Sequence, residues 1–476
     1  MSHTSSQHTA STSLGSVSHH GMRRQLTVFH TVALGIASVA PFESIFILYG
    51  TIAGQAGTGL VWIFIAAGLL AIANAYAFST MARYFPNSGG GYETFRMAVG
   101  APAGTMYIIL TLLNWVLVVS TLAVPAASFL NDVHYIMPVP LLASILILIM
   151  LGLSLLNVRD SGLVSEIFLI FELAFTVVWI IIAVTHMKVP ISVLLSYPRA
   201  LVGNHFGHAI GIGALIAALP GAMFALSGYE SAIHYAEEMQ DFRKIIPAVV
   251  RAAVISALVY VIAMPMVLLI DHHFSYELNA AIPGEAALVH ALPGIAPVFL
   301  LYMFVSSFNG GLASYLESSR LVMNAALDGN FGAWLGRWLG RVDRRGVPYM
   351  ATLIWLVPSI VTVWVTSLST LLSFTGVTIM ITYIFVSFGA MYFYWRVKGR
   401  MRVENHGAFR WFPLVPLAVI IPSIVVIVLQ PLGYIETSLG VVVVGIIVAL
   451  LAHRGWHWAT PEELVEQSLT SRGGDI

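Results

Sequence analysis

Apolar residues occur along this chain in long, nearly continuous runs, without the one-face or alternating patterns of soluble domains. A helix needs about 20 apolar residues to cross a bilayer core of about 30 Å. The runs are also much longer than the roughly 10 residues of a barrel strand. The pattern therefore predicts an all-α integral membrane protein with twelve transmembrane helices. They cover residues 27–54, 59–84, 98–129, 136–157, 161–187, 207–236, 247–270, 295–326, 348–367, 370–395, 411–430 and 434–453.

The first and sixth runs are interrupted by residues that weaken a helix. The first contains ALGIASVAPFESIFILYG (33–50), with Pro41 and Glu43, and the sixth contains IAALPGAMFALSGYESAIHYAEE (216–238), with a glycine shortly before Glu230. In lipid every freed backbone group needs a partner, so such breaks occur only where protein or a watery cavity receives those groups. Each interrupted run opens a group of five, which is typical of transporters built from inverted repeats. We expect repeat one at 27–187, repeat two at 207–395, and two further helices at 411–453.

Composition and charge support a membrane location. Hydrophobic residues make up 58% of the 476 positions and charged residues 9%, against about 25% charged in a soluble domain. The formal net charge of +0 gives no basis for nucleic-acid binding, and the absence of cysteine excludes disulfides and thiolate chemistry. Of the 22 Lys and Arg residues, all but Lys188 and Arg199 fall on one side of the predicted membrane, which is the side that such residues mark as cytoplasmic.

Both termini are therefore predicted to be cytoplasmic, in a multi-pass protein of the cell membrane. Residues 1–22 are rich in Ser, Thr, His and Gly and predict a disordered tail, residues 23–456 form the predicted transporter domain, and residues 457–476 form a second tail. The first tail lacks the apolar core of a signal peptide, so we expect the first membrane helix to act as the insertion signal.

Four stretches resemble the amino acid-polyamine-organocation (APC) superfamily and follow its order. They are the interrupted first run, FPNSGGGYETF (85–95), FALSGYESAIHYAEEMQDFRKIIPAVV (224–250) and SSRLVMNAALDGNF (318–331). Two features depart from the family pattern: ASVAP replaces the Gly-Ser-Gly run of many members, and Leu327 stands where an arginine usually precedes Asp328. The first departure is similar to the branch of amine and polyamine permeases. The resemblance implies a LeuT-like fold and secondary transport of amino acids or organic amines.

The resemblance also implies where substrate binds. Family members commonly hold the amino and carboxylate groups of the substrate against main chain at the two breaks, since half-helix N-termini bind anions and exposed carbonyls bind cations. The corresponding positions in this chain are Ser38, Val39 and Ala40 in the first break and Phe224, Ala225, Leu226 and Ser227 in the second.

Acidic residues near the breaks have two interpretations each. If Pro41 begins the second half-helix, Glu43 lies in its first turn, where it either complements the helix dipole or faces the site and favours cationic amines. Glu230 matches a glutamate typical of the family, and it either accepts backbone donors freed by the break or contacts substrate. The neighbouring Tyr229 either closes over the substrate or packs within the bundle.

Other polar residues within the runs are functional candidates because ionisable and polar groups are costly in lipid. Glu172 in the fifth run is the candidate for proton coupling, with a hydrogen-bonded contact between helices as the alternative. Asn114, Trp115 and Ser307 are candidates for the cavity lining, although polar side chains also join membrane helices. No cofactor and no metal site is predicted.

The leading hypothesis is a secondary active transporter of amino acids or related amines, proton-coupled or exchanging. A cationic amine or polyamine permease selected by Glu43 is the first alternative, and a channel or a non-transporting sensor on the same scaffold is the second. An enzyme is not expected, because the chain lacks HExxH, GxSxG and phosphate-loop motifs. The expected partners are a small-molecule substrate, protons and the lipid bilayer, and the sequence leaves the oligomeric state open.

Overall fold

The computed structural model describes residues 26–85, 90–155, 158–343, 347–397 and 412–452. The two predicted tails, 1–22 and 457–476, lie outside the described residues. The α-helices are α1 (Val28–Val39), α2 (Pro41–Ala56), α3 (Leu60–Tyr84), α4 (Gly90–Ala98), α5 (Ala101–Val133), α6 (Val139–Ser154), α7 (Val158–Thr185), α8 (Ser192–Leu195), α9 (Ile212–Leu226), α10 (Ile245–Ala263), α11 (Pro265–Ile270), α12 (Phe274–Asn279), α13 (Pro283–Ala291), α14 (Ala296–Leu327), α15 (Gly332–Leu339), α16 (Tyr349–Leu353), α17 (Leu356–Val365), α18 (Leu368–Val397), α19 (Leu414–Val428) and α20 (Leu432–Ala452). The described residues also form three 3-10 helices, at Gly57–Gly59, Tyr229–Glu238 and Phe242–Lys244, and two strands, β1 (Arg199–Val202) and β2 (His205–Ala209).

The helices have the length and composition of a membrane protein. Within the described ranges, seven helical stretches are long and apolar enough to cross a membrane, or up to eight if the bent pair Ile212–Leu226 and Tyr229–Ala236 counts as one. A helix suits this environment because it pairs its backbone groups internally. The prediction of a helical membrane fold is therefore confirmed, whereas the count of twelve stays a prediction.

Local sequence explains how the first helix starts and stops. Thr27 caps α1: its Oγ1 accepts the His30 N–H at 3.3 Å, and its own N–H donates to His30 Nδ1 at 3.2 Å. The helix ends where Ala40 takes a left-handed conformation, and α2 starts at once because proline suits the first helical position occupied by Pro41. The interruption predicted in this run corresponds to a one-residue break at Ala40, between α1 and α2.

A short hairpin departs from the all-α prediction. Strands β1 and β2 pair antiparallel and are joined by Gly203 and Asn204, with Gly203 at φ 59°. Gly-Asn is a typical two-residue hairpin turn, because glycine takes a positive φ without steric cost. The predicted start of the sixth run, at 207, therefore lies within β2, and the helix α9 begins only at Ile212.

Close pairs of helices form the core of the bundle. α14 packs along α5, α10 along α3 and α9 along α2, and α1 contacts the 3-10 helix at Tyr229–Glu238. Small residues permit such approach: a Cβ added to Gly68 on α3 would lie 2.9 Å from the Cβ of Ala257 on α10. The two interrupted helices therefore lie side by side, in contact with α14 and α18.

Candidate functional site

The first break contains no glycine, and a single alanine turns the chain. Ala40 has φ 44° and ψ 62°, and it is the one non-glycine residue at positive φ in the described part of the chain. This conformation costs an L-residue about 1–2 kcal/mol. Gly310 on α14 leaves room for the methyl group, since a Cβ added there would lie 2.8 Å from that of Ala40. Packing against α14 therefore holds the first break in place.

The second break extends over several residues and is bonded locally. Ser227 is extended, with φ −67° and ψ 152°, and both its N–H and its hydroxyl donate to the Phe224 carbonyl, at 3.0 and 2.8 Å. Gly228 has φ 114°, and its N–H donates to Glu230 Oε2 at 3.0 Å. Beyond it the chain continues as the 3-10 helix, bent by 41° from α9. Glu230 thus accepts a backbone donor that the break releases.

The two breaks meet through their backbones. A Cβ added to Gly228 would lie 2.7 Å from the carbonyl carbon and oxygen of Ser38 and 2.8 Å from the nitrogen of Val39. No real Cβ tolerates such distances to backbone atoms, and the positive φ of Gly228 independently favours glycine. The glycine is therefore required for the main chain of one break to lie against that of the other.

A cavity of about 770 Å³, part of it open to solvent, lies beside these breaks. Its wall combines aliphatic, aromatic, hydroxyl and carboxylate side chains, as expected for a site that binds a small amphipathic molecule. The predicted site residues in the wall are Ser38, Val39, Asn114, Trp115, Phe224, Ser227 and Glu230. Further polar residues in the wall, which the sequence pattern did not indicate, are Ser44, Tyr107, Thr111, Ser231, His234, Ser314, Glu317 and Thr382.

A second carboxylate lines the cavity opposite the 3-10 helix. Glu317 on α14 is 1% exposed, accepts a hydrogen bond from the Ser231 hydroxyl through Oε2, and has Oε1 3.2 Å from His234 Nε2. Ser231 and His234 are three residues apart, and a 3-10 helix has three residues per turn, so both face the same carboxylate. The acidic residue within an apolar run was the signal that would have identified Glu317 from sequence.

The glycine-rich segment that carried part of the resemblance supports this cluster. A Cβ added to Gly90 would lie 2.5 Å from His234 Nδ1, and one added to Gly91 would lie 2.2 Å from the Tyr107 hydroxyl. Both contacted side chains line the cavity. Glycine at these positions therefore lets the start of α4 approach the cavity wall from outside.

The same segment binds the end of α14. The Tyr92 hydroxyl donates to Asp328 Oδ2 at 2.9 Å, and Asn330 Nδ2 donates to the Tyr92 oxygen at 2.6 Å. Arg96 Nε lies 3.6 Å from the same Asp328 oxygen. Two stretches that are distant in sequence, and that both resemble the superfamily, are thus joined in one polar contact.

Glu172 on α7 connects three helices at the first break. Its Oε1 accepts the Phe42 N–H at 3.3 Å and the Ser306 hydroxyl at 2.5 Å, while Oε2 has no partner among the described residues. Phe42 is the second residue of α2, and the N-cap of that helix, Ala40, offers no side-chain acceptor. Glu172 therefore supplies from another helix the cap that α2 lacks.

Glu43 lies in the first turn of α2, as its position after Pro41 predicts. It is fully buried, it does not line the cavity, and neither carboxylate oxygen has a hydrogen-bond partner in the described part of the chain. Its neighbour Phe42 binds Glu172, so two buried carboxylates adjoin at the start of α2. The positive end of the half-helix favours negative charge at this point.

The remaining predicted residues lie outside the cavity wall. Tyr229 is fully buried and its hydroxyl accepts a hydrogen bond from Asn74 Nδ2 at 3.1 Å, while Ser307 is fully buried with no partner for its hydroxyl among the described residues. Backbone positions that do not line the cavity are Ala40, Ala225 and Leu226. Their distance from the wall reflects which faces of the half-helices point to the cavity, which the sequence pattern around a break does not determine.

Comparisons with known proteins agree with this architecture. The model of the amino acid permease family matches residues 30–451. The chain is 24% identical over 420 residues to the branched-chain amino acid permease BcaP of Lactococcus lactis, covering 84% of this chain and 88% of the relative. It is 27% identical over 341 residues to an uncharacterized transporter of Mycobacterium bovis, covering 70% and 72%. It is 21% identical over 335 residues to cationic amino acid transporter 3, mitochondrial, of Arabidopsis thaliana, covering 65% and 53%.

Apolar helices, two interrupted helices and a shared cavity define a membrane transporter, and the relatives bear transporter names rather than enzyme names. The chain belongs to the amino acid permease family, within the APC superfamily, so the resemblance of the four stretches is confirmed. Membership implies a small-molecule amino acid substrate.

Proposed function

We propose that the protein is a secondary active transporter that carries amino acids or related organic amines across the cytoplasmic membrane by alternating access. The observation that carries this proposal is the meeting of two broken helices beside a cavity, with Gly228 against the Ser38–Val39 backbone. Exposed main chain at such breaks suits the charged amino and carboxylate groups of an amino acid. The class of transporter follows from the family, and the mechanism is inferred from this site.

The proposal includes twelve spans in a LeuT-like 5+5 arrangement. The stretch Val28–Tyr84 has 57 residues, roughly 85 Å if fully helical, so it accounts for two crossings of a core of about 30 Å. The eight apolar stretches, with the bent pair counted as one, therefore provide nine crossings, and three shorter apolar helices bring the number to twelve. These are Val139–Ser154, Tyr349–Val365 and Leu414–Val428.

The proposed orientation has both termini in the cytoplasm, as the distribution of Lys and Arg favours. Tyr107, His234 and Glu317 then belong to the cytoplasmic halves of their helices, and all three line the cavity. The cavity would accordingly face the cytoplasm.

Counterflow in sealed proteoliposomes tests the proposed function. Vesicles loaded with unlabelled amino acid should accumulate the labelled compound transiently and saturably, because an alternating-access carrier exchanges substrate. A channel would give a non-saturable flux without accumulation, and a non-transporting sensor would give neither. The amino acid panel should include leucine, isoleucine and valine, since one relative is named as a branched-chain permease.

The alternative substrate class is cationic amines. Glu230 and Glu317 place two carboxylates in the cavity wall, and these favour an ammonium group more directly than Glu43, which lies outside the wall. One relative is named as a cationic amino acid transporter. Selection by Glu43 stays a prediction.

A thermal-shift panel of amino acids, decarboxylated amines and polyamines separates the two classes, because a ligand of the folded state raises its stability. Stabilisation by amines that is lost in Glu317→Gln but kept in Glu43→Gln would place the selecting charge in the cavity wall. The reverse pattern would restore the role of Glu43. Stabilisation by neutral amino acids alone would exclude the cationic class.

Proton coupling through Glu172 is part of the proposal. Its carboxylate joins α7, α14 and the start of α2, so a change in its charge would alter the cap of the half-helix that begins at the break. A proton on Glu172 would thereby affect the geometry of the first break, which supports coupling of proton binding to the conformational cycle.

A further inference from the structure

Three histidines and an aspartate converge at the end of the bundle opposite the start of α1. Leu26, just before α1, pairs with Met239, so the start of α1 and the segment before α10 lie at the same end of the bundle. From that end α10 and α11 run to the opposite end, where α11 stops just before Asp271. His272 and His273 follow directly, and His290 lies in the last turn of α13. A helix end and a separate helix thus bring metal-binding side chains to one place.

The Asp271 carboxylate is at the centre of this cluster. Its side chain is 0% exposed, His290 Nδ1 lies 2.5 Å from Oδ2, and His273 Nδ1 lies 3.0 Å from Oδ1. His272 Nδ1 is 3.9 Å from Oδ1, and the His272 backbone N–H donates to the same oxygen at 2.8 Å. The centroids of the imidazole rings lie 4.3 Å apart for His272 and His273, and 4.4 Å apart for His273 and His290.

The distances between these side-chain atoms suit a metal ion with tetrahedral coordination. Ligand atoms about 2.0–2.1 Å from a zinc ion lie about 3.3 Å from one another. The aspartate-to-histidine distances of 2.5, 3.0 and 3.9 Å bracket that value, and one ligand atom each from Asp271, His272 and His273 lie within 4.8 Å of one another. His290 approaches the other oxygen of the same carboxylate, and a rotation of its ring towards this group of three would add the fourth ligand.

We propose that Asp271, His272, His273 and His290 form a binding site for a divalent d-block cation such as Zn²⁺. Imidazole nitrogen with one carboxylate oxygen is a ligand set that zinc, nickel and copper prefer, whereas calcium and magnesium require oxygen ligands. The buried carboxylate fixes the base of the site, and the side chains of the histidines are 51, 36 and 40% exposed in chain order, which leaves a path for the ion. The site is separate from the transport cavity and independent of the proposed function.

The surroundings determine how strongly an ion would bind. Lys188 Nζ lies 3.5 Å from Asp271 Oδ1 and repels a cation. The backbone N–H of His272 orients the carboxylate, as outer hydrogen bonds do in metal sites. Because His290 belongs to α13, and a Cβ at Gly284 of α13 would lie 2.3 Å from the Phe46 carbonyl oxygen of α2, a bound ion would fix α13 between α2 and the end of α11.

Zn²⁺ titration of the tag-free full chain in detergent tests the site. We expect one saturable site, with an affinity at least tenfold weaker in His290→Gln and in His273→Gln. Both side chains are more than one third exposed, so these variants should fold. Zn²⁺ should raise the unfolding temperature of the wild type by mass action and that of the variants less. Co²⁺ in place of Zn²⁺ should give the visible spectrum of a tetrahedral site.

Matched histidine variants serve as controls. His19→Gln/His20→Gln removes a pair from the terminal tail, and His205→Gln/His208→Gln removes a pair from β2 at the same end of the bundle. Both should keep the site. Lys188→Gln should tighten binding about two- to fivefold, because it removes a half-exposed positive charge. Unchanged Zn²⁺ affinity in both His273→Gln and His290→Gln, or loss of the site in the tail variant, would overturn the proposal.

Discussion

The two helix breaks differ in the residues that turn the chain and in the groups that hold the turn in place. At the first break a single residue, Ala40, takes the left-handed conformation although it is not a glycine. Gly310 of another helix packs against its methyl group and keeps it in place. The second uses Gly228, and its backbone is satisfied by neighbours in its own sequence. The first break is thus determined by tertiary packing and the second mainly by local sequence.

This difference extends to the polar groups. Around the first break the acceptor for the half-helix, Glu172, comes from α7, more than one hundred residues away. Around the second break Glu230 lies two residues from the donor that it accepts, and Ser231 and His234 of the same segment bind Glu317. The carboxylate at the first break therefore joins separate helices, whereas the carboxylate that binds the backbone of the second break belongs to the same segment.

The largest effect is expected where the breaks touch. Gly228→Ala would place a methyl group 2.7 Å from the Ser38 backbone and force a side chain at φ 114°. We expect counterflow in proteoliposomes to fall at least tenfold, because neither backbone is able to yield without moving a helix.

Gly213→Ala is the matched control for this change. It lies in the same broken helix, α9, and a Cβ added there meets nothing within 4 Å. Transport in Gly213→Ala should stay near that of the wild type. Normal counterflow in Gly228→Ala, with protein that elutes as a single species, would refute a functional contact between the breaks.

The next effect concerns the acceptor of the first break. Glu172→Gln keeps an oxygen that accepts the Phe42 N–H but removes the titratable group. We expect uptake driven by a pH gradient to be lost while counterflow at equal pH continues. The measurement is uptake of labelled substrate with and without an imposed gradient.

Ser306→Ala is the control for proton coupling, because it removes one hydrogen bond to Glu172 and leaves the carboxylate. This variant should still respond to the gradient. Gradient-driven uptake that persists in Glu172→Gln would assign coupling to another group.

Local sequence predicted where both helices break, but it did not predict which residues of another helix contact the breaks. Proline, glycine and a following carboxylate are local signals, so both interruptions and the position of Glu43 in a first turn were foreseen. The partners Gly310, Ser306 and Glu317 lie on α14, and no local pattern links them to the breaks. The hairpin was missed because four- and five-residue strands carry little periodicity beside long apolar runs.

A smaller effect, on stability, is expected at α13, which packs against α2, the half-helix that follows the first break. Burial, and after it the neighbouring Asp132 carboxylate, raises the pKa of Glu285 to about 10. An ordinary carboxyl has a pKa near 4.3, so the folded state holds a proton there that the unfolded chain releases. The contribution of Glu285 to the free energy of unfolding is therefore greatest below pH 4, and it declines progressively as pH rises towards 10.

Glu285→Gln, which resembles the protonated form, tests this pH dependence. The variant should unfold at a higher temperature than the wild type at pH 8, and the difference should vanish near pH 4. Thermal unfolding monitored at both pH values gives the answer. An equal difference at the two pH values would show that Glu285 is ionised in the folded state or that the effect is steric.

The smallest effect is expected at the turning residue of the first break. Ala40→Gly relieves about 1–2 kcal/mol of left-handed strain but adds about 0.5–1 kcal/mol of backbone entropy in the unfolded chain, so the net gain should stay near 1 kcal/mol or below. Gly310→Ala, by contrast, would place two methyl carbons 2.8 Å apart and should destabilise the protein. If the two positions act through this contact, Ala40→Gly should recover part of the stability lost in Gly310→Ala. Additive changes in unfolding temperature across the four proteins of this cycle would show that α14 does not hold the first break through Ala40.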